Sequence, residues 1–316
     1  MHRTMRVLGV CLSVAFVLLA GSMALAQNTA DDKIAKSFQV GPGGTLTVDA
    51  DLGTIEVQSA EGNQVAVDVI FKSESWSTRR LKEFIKEFQV DFRQTGNDVL
   101  VTAEYERHSN FWDSIGRRVQ VRFVATVPKK YNVDLHTSGG SISVDDLEGE
   151  VRSETSGGSL KFGTIQGPIF GKTSGGSIRL EGCDGTADVK TSGGSIHLGK
   201  VKGDVNAHTS GGSINVQEMT GAVNASTSGG FIRVTLTEQP KENCRLTTSG
   251  GSITVDVAEK IGLNVDASTS GGHVSTDFPI TVQGKLDNHA LQAKINGGGP
   301  ELYLHTSGGS IHLSKM

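Results

Sequence analysis

The chain has 316 residues, with 30 Lys+Arg against 34 Asp+Glu, 41 Gly and only 5% aromatic residues. A slightly acidic balance without a basic block or an RNA-binding aromatic motif excludes nucleic acid as a partner. Glycine stands well above its usual ~7% and recurs at fixed points of a period, which signals repeated tight corners rather than a disordered linker.

Residues 1–26 read as a signal peptide. Arg3 and Arg6 form a basic start, residues 7–19 an apolar stretch, and Ala24-Leu25-Ala26 a small-x-small cleavage site before Gln27. Cys11 lies too early to be a lipoprotein cysteine. The mature chain then carries 28 Lys+Arg against 34 Asp+Glu, a net charge of −6. No second apolar stretch of spanning length follows, so the mature chain is expected to lack a transmembrane segment. The expected location is the periplasm or the extracellular surface. Residues 27–36 read as a mobile polar leader.

Residues 37–130 read as a strand-rich N-terminal region that caps the remainder of the chain. Alternating or β-branched runs mark strands at 37–40, 45–49, 54–58 and 65–71, separated by Gly-rich turns. Residues 75–88 break the pattern. Ser77 can cap a short amphipathic helix with Leu81, Phe84, Ile85 and Phe88 on one face. Such a helix suits the open end of a solenoid, whose terminal strands need cover. Strands resume at 90–93, 99–105 and 119–127. The loop between the last two carries Phe111 and Trp112, an aromatic pair that is either packed beneath the loop or a partner contact.

From residue 131 to 316 a repeat takes over. Thr-Ser-Gly-Gly starts at Thr137, Thr155, Thr173, Thr191, Thr209, Thr227, Thr248, Thr269 and Thr306. The first six starts are 18 residues apart, the next two intervals are 21 and the last is 37. Such a period marks a repeat architecture. Five residues after each Thr stands Ile, Leu or Val, and seven after stands an apolar residue except at Thr276. Polar residues such as Lys161, Arg179 and His197 alternate between them, as in a half-buried strand. In the first five coils a further apolar residue sits ten after the Thr and Gly twelve after it. Each period is therefore a strand, a Gly corner, a second strand and the Thr-Ser-Gly-Gly corner. The corner residues are Thr137, Gly139, Gly140, Thr155, Gly157, Gly158, Thr173, Gly175, Gly176, Thr191, Gly193 and Gly194, and the same positions recur in the later coils. Parity turns the Thr inward and the Ser outward, with Gly-Gly permitting the bend. The predicted fold is all-β: a parallel β-solenoid of the β-helix type, right-handed by preference, with two or three flat sides. One coil cannot fold alone; stacking supplies the core.

Several motifs fall short of a chemistry. Residues 166–173 lack the first Gly of a phosphate loop, and a strand follows instead of a helix. Gly-Gly-Ser-Ile lacks the third Gly and the Asp of a calcium repeat. Cys183 and Cys244 occupy different columns about three coils apart, too far for a disulfide, so both are expected as buried thiols. The histidines share columns but not adjacent coils, so no metal site is assigned. The acids Asp145, Glu181 and Asp256 share an outward column that Gly163 and Gly199 interrupt, so no carboxylate pair is assigned to catalysis.

Three features resemble a family of exported bacterial β-strand-repeat proteins, a domain of unknown function labelled "putative adhesin". They are the Thr-Ser-Gly-Gly-Ser-Ile runs, the lead-in Val124-Ala-Thr-Val-Pro-Lys-Lys130, and the ending Asp277-Phe-Pro-Ile-Thr-Val282, Asn296-Gly-Gly-Gly-Pro300 and Thr306-Ser-Gly-Gly-Ser-Ile311. The resemblance covers most of residues 40–316. It implies a parallel β-helix-like solenoid and no established activity. The expected function is a non-enzymatic exported solenoid, structural or adhesin-like, facing a cell-envelope protein or glycan without a cofactor. The alternative is a polysaccharide-active or polysaccharide-binding β-helix protein.

Overall fold

The computed structural model describes residues 30–105, 119–280 and 288–316. The assigned signal peptide, Phe111 and Trp112 lie outside the described residues.

Two long sheets face each other across one continuous core. Each coil gives one strand to each sheet. The pre-corner wall takes strands that end on the corner Thr, such as Val151–Thr155. The post-corner wall takes strands that follow the corner, such as Leu160–Gln166. Successive coils pair in parallel and in register: Ile142 with Leu160, Leu160 with Ile178, Ile178 with Ile196. The residues five, seven and ten after the Thr line the core in these coils, as the spacing predicts. The two-or-three-sided expectation resolves to two sheets. The 21-residue periods keep strands of five to seven residues. Their extra residues go to the corner opposite the Thr, at 237–243 and 258–262.

The stacking order departs from the chain order at both ends. The natural reading of the period is one coil after another. Instead, the strand Glu301–Thr306 lies between Cys244–Thr248 and Leu263–Thr269, parallel to both. Its continuation Ile311–Lys315 lies between Ile253–Val257 and Val274–Thr276. The last coil in sequence is thus inserted beneath the one before it. The N-terminal end mirrors this. Thr45–Ala50 lies between Asp98–Tyr105 and Asn132–Thr137, and Thr54–Ala60 lies between Gln120–Pro128 and Ile142–Val144. These two N-terminal coils continue both walls, so the sheets run unbroken through residue 130, where the sequence suggests a cap giving way to repeats.

A reversal makes the C-terminal insertion possible. After the Thr269 coil, Ala290–Ile295 pairs antiparallel with Leu263–Thr269 and closes that wall. The chain then turns through Asn296, Gly297 and Gly298, with φ of 49°, 87° and 91°. This left-handed run is cheap for Gly and tolerable for Asn. The Asn296 side chain donates to the carbonyls of Glu259 and Ile261 at 2.7 and 2.8 Å, which anchors the turn.

At the N-terminal end the helix Thr78–Glu87 lies where the amphipathic pattern places it, with Ser77 as N-cap. Leu81 and Phe84 are buried. Phe84 packs on Trp76, Phe71, Phe88 and Tyr105, aromatic groups drawn from both walls, so the helix closes the gap between them. The leader differs from its expectation. From Ala30 it is a strand, Ala30–Gln39, antiparallel to Gln64–Ser73. Ile34 and Phe38 pack against the core, and Lys33 pairs with Asp68 at 2.7 Å. A polar composition concealed an alternation that serves an edge strand.

Core columns balance large against small side chains. A Cβ added to Gly171 would lie 3.3 Å from the Phe162 ring, so Phe162 fills the space that glycine leaves. Beside Gly171 in the wall is Ser153, fully buried, whose Oγ has no hydrogen-bond partner among the described residues. A buried hydroxyl without a partner costs ~1–3 kcal/mol. Ser153→Ala is therefore expected to stabilise the protein by ~1 kcal/mol, read as a higher urea midpoint.

Candidate functional site

The corner comes first, because its chemistry decides which groups remain free. Each corner Thr is buried. Thr155, Thr173 and Thr191 Oγ1 each donate to the carbonyl of the second Gly one coil below, Gly140, Gly158 and Gly176, at 2.7 Å. Thr137 does the same to Gly53, the corner glycine of the N-terminal coil, at 2.9 Å. The hydroxyl also accepts from its own second Gly amide, as Gly194 N to Thr191 Oγ1 at 3.3 Å. Its hydrogen-bonding capacity serves the stack and is closed to a ligand. The ladder follows the spatial order: Thr306 bonds to Gly251, and Thr269 bonds to Gly309.

The two corner glycines have different reasons. A Cβ on Gly140, Gly158, Gly176 or Gly194 would lie 1.9–2.1 Å from a carbonyl oxygen of the neighbouring coil. A Cβ on Gly139, Gly157, Gly175 or Gly193 meets nothing closer than 3.2 Å. None of the eight has a left-handed φ. The second Gly is thus required by the close approach of coils rather than by the bend itself.

Outside the corner, the post-corner wall carries two parallel columns. One is serine: Ser141, Ser159, Ser177, Ser195 and Ser213. Each of these Oγ atoms accepts from the backbone amide one coil on, at 3.1–3.2 Å. The hydroxyl proton remains to donate outward. The last of those amides belongs to Phe231, which takes the serine position in its coil and is 51% exposed. The second column runs Lys161, Arg179, His197, Asn215 and Arg233, paired coil to coil. Arg233 contacts Asp256 at 3.4 Å. Lys161 and Arg179 have no ion-pair partner among the described residues. Of the other aromatics on the repeat faces, Phe170 lies under the Arg152 guanidinium at 4.7 Å and Tyr303 under Arg245 at 4.2 Å. Phe231 alone of the three is open.

On the pre-corner wall several charges are paired. Lys172 meets Glu154 at 3.7 Å, Lys190 meets Asp188 at 3.2 Å, and His136 meets Asp134 at 2.8 Å. His208 and His305 bond serines of the next coil, Ser226 at 2.6 Å and Ser268 at 3.0 Å. Among the described residues no group of three His, Cys, Asp or Glu side chains is placed to hold a metal ion. An open polar groove of about 650 Å³ lies at the C-terminal end over Asn264, Asp266, Gln292, Lys294 and Glu301. Cys183 and Cys244 are buried and unbridged, in opposite walls. Burial pushes both thiols up, away from the reactive thiolate. Burial and the charge of Asp98 push the Tyr131 phenol up to about 12. Asp256 is engaged by Ser314 and Arg233.

Two parallel walls, interlocked ends and a hydroxyl ladder define a two-sided β-solenoid. The chain belongs to the Toastrack DUF4097 family, whose model matches residues 44–314. No curated protein matches the sequence. Among solved structures, a "putative adhesin" from Bacteroides fragilis is similar at 12% identity and TM-score 0.41, over 90% of this chain and 97% of that one. A "putative lipid binding protein" from Parabacteroides distasonis shares 12% identity at TM-score 0.43, over 89% and 96%. A "putative cell adhesion protein" from Clostridium sporogenes shares 13% identity at TM-score 0.22, over 90% and 100%. Among the described residues no helix is long and apolar enough to cross a membrane.

Proposed function

We propose that the protein is an exported, non-enzymatic solenoid whose outer walls act as an adhesin-like binding surface in the cell envelope. The observation that carries this reading is the lattice of outward side chains. The repeat places like groups one coil step apart along the wall, about 4.8 Å, while the corner Thr hydroxyls are consumed inside. Such a surface suits an extended partner better than a small molecule. Among the described residues, Asp256 is held by Ser314 and Arg233, which does not favour it as a free general acid or base. Export rests on the N-terminal residues 1–26. The periplasm and the outer surface both fit.

Phe111 and Trp112 offer the competing contact. A pull-down of envelope fractions and glycans with the chain from residue 27, against a variant lacking 106–117, separates them. Retention by both proteins is the expected result and places the contact on the walls. Loss in the deletion variant would move it to the loop.

A further inference from the structure

We propose that the post-corner wall binds an acidic polysaccharide, laid along the solenoid axis from Lys161 to Phe231 with about one sugar per coil. This rests on the wall-binding reading above and names the ligand class. Three observations converge. First, Lys161, Arg179 and His197 follow one another on adjacent coils and Arg233 lies two further on, with Asn215 between. The first two cations have no partner among the described residues. An unengaged guanidinium is a preformed bidentate donor for a carboxylate. Second, the serine column runs beside the cations. Its hydroxyls accept from the backbone, so each can donate outward to a sugar oxygen. Third, the track ends on Phe231, 51% exposed, an apolar plate on which a sugar ring can stack.

The spacing fits the ligand. A coil step of about 4.8 Å is close to the length of one sugar unit in an extended chain, so each unit meets an equivalent set of groups. Gly163 and Gly199 keep the neighbouring column low on two of the coils. Asp145 and Glu181 border the track and repel a dense polyanion. The protein is acidic overall, with a formal net charge of −4, which also disfavours DNA. The favoured ligand carries spaced carboxylates on a sugar backbone.

The test uses hexamers of galacturonic acid and their fully methyl-esterified form, which has the same backbone without the charge. Calorimetry at low salt should show binding of the acid form and at least tenfold weaker binding of the ester. Arg179→Glu and Lys161→Glu should each weaken the acid form at least tenfold. Phe231→Ser should weaken both forms. Arg93→Glu, at an exposed position far along the stack, should change nothing. All four positions are exposed, so the melting temperature should hold. Equal affinity for acid and ester, insensitivity to Arg179→Glu, or stronger binding of dextran sulfate that survives both reversals would each overturn the proposal. If envelope material is still retained by the walls while the hexamer is not bound, the wall reading stands and this ligand class falls.

Discussion

Deleting residues 301–316 is expected to unravel the C-terminal end as far back as the Thr248 coil, although the deletion removes only the end of the chain. The reason is the insertion. Glu301–Thr306 and Ile311–Lys315 supply the parallel partners of Leu263–Thr269 and Val274–Thr276. Without them the Thr269 coil keeps only the antiparallel strand Ala290–Ile295 and faces a gap one coil wide. Leu302, Leu304, Ile311 and Leu313 are fully buried. At about 2 kcal/mol each, their loss matches a whole domain's margin of about 5–15 kcal/mol. Nearest-neighbour coupling passes the damage to the next coil rather than spreading it. Hydrogen exchange should show amide protection lost from 244 to 276 and kept at Val151–Thr155. Leu304→Asp should reproduce the pattern in the full-length chain. Protection retained across Leu263–Thr269 in the deletion would mean that this coil re-seats on the Thr248 coil, and that the insertion is dispensable.

Periodicity made the columns legible, but not the order of the coils. An apolar residue at five and at seven after the Thr specifies which side chains enter the core, and the structure buries them in every coil but that of Thr269, whose Val274 and Thr276 are half-buried. The same uniformity hides the stacking order. Leu246, Leu304 and Ala267 occupy the same inward position of the repeat, and the repeat pattern does not rank one coil as the partner of another. The clue lay in the residues that break the repeat. Asn296, Gly297 and Gly298 form a left-handed reversal, which a chain simply adding a coil at its end does not need. The leader was obscured in a similar way. Ile34 and Phe38 are spaced among mostly polar residues on one face, but only the pairing with Gln64–Ser73 shows that this pattern belongs to an edge strand. The surface track was legible only in part. Spacing aligns Lys161, Arg179 and His197, yet which cations lack partners, and which aromatic is uncovered, depends on three-dimensional neighbours such as Arg152 over Phe170.

The two glycines of one corner should differ sharply in cost. In Gly194→Ala the new Cβ would lie 2.1 Å from the Gly176 carbonyl oxygen and 2.4 Å from its carbon. Both are backbone atoms of the coil below, so no side chain can swing aside. Relief requires the coils to part. That strains the Thr191 bond to Gly176 at 2.7 Å and the Thr209 bond to Gly194 at 2.8 Å. Overpacking of this kind costs ~1–3 kcal/mol or more, and the broken ladder adds to it, so a loss of ~3 kcal/mol or more is expected. In Gly193→Ala the nearest atom is the Gly175 oxygen at 3.2 Å, and the backbone is not left-handed. That variant should lose less than ~1 kcal/mol. Thr191→Val keeps the shape and removes the donor to Gly176, so it should fall between the two at ~1–2 kcal/mol. Urea unfolding of the three variants checks the ranking. Equal losses for the two alanines would mean that the corner needs glycine for its bend. The expected inequality would show that close stacking of coils selects the second glycine, and that the Thr hydroxyl, which bonds to that glycine's carbonyl one coil away, is selected with it.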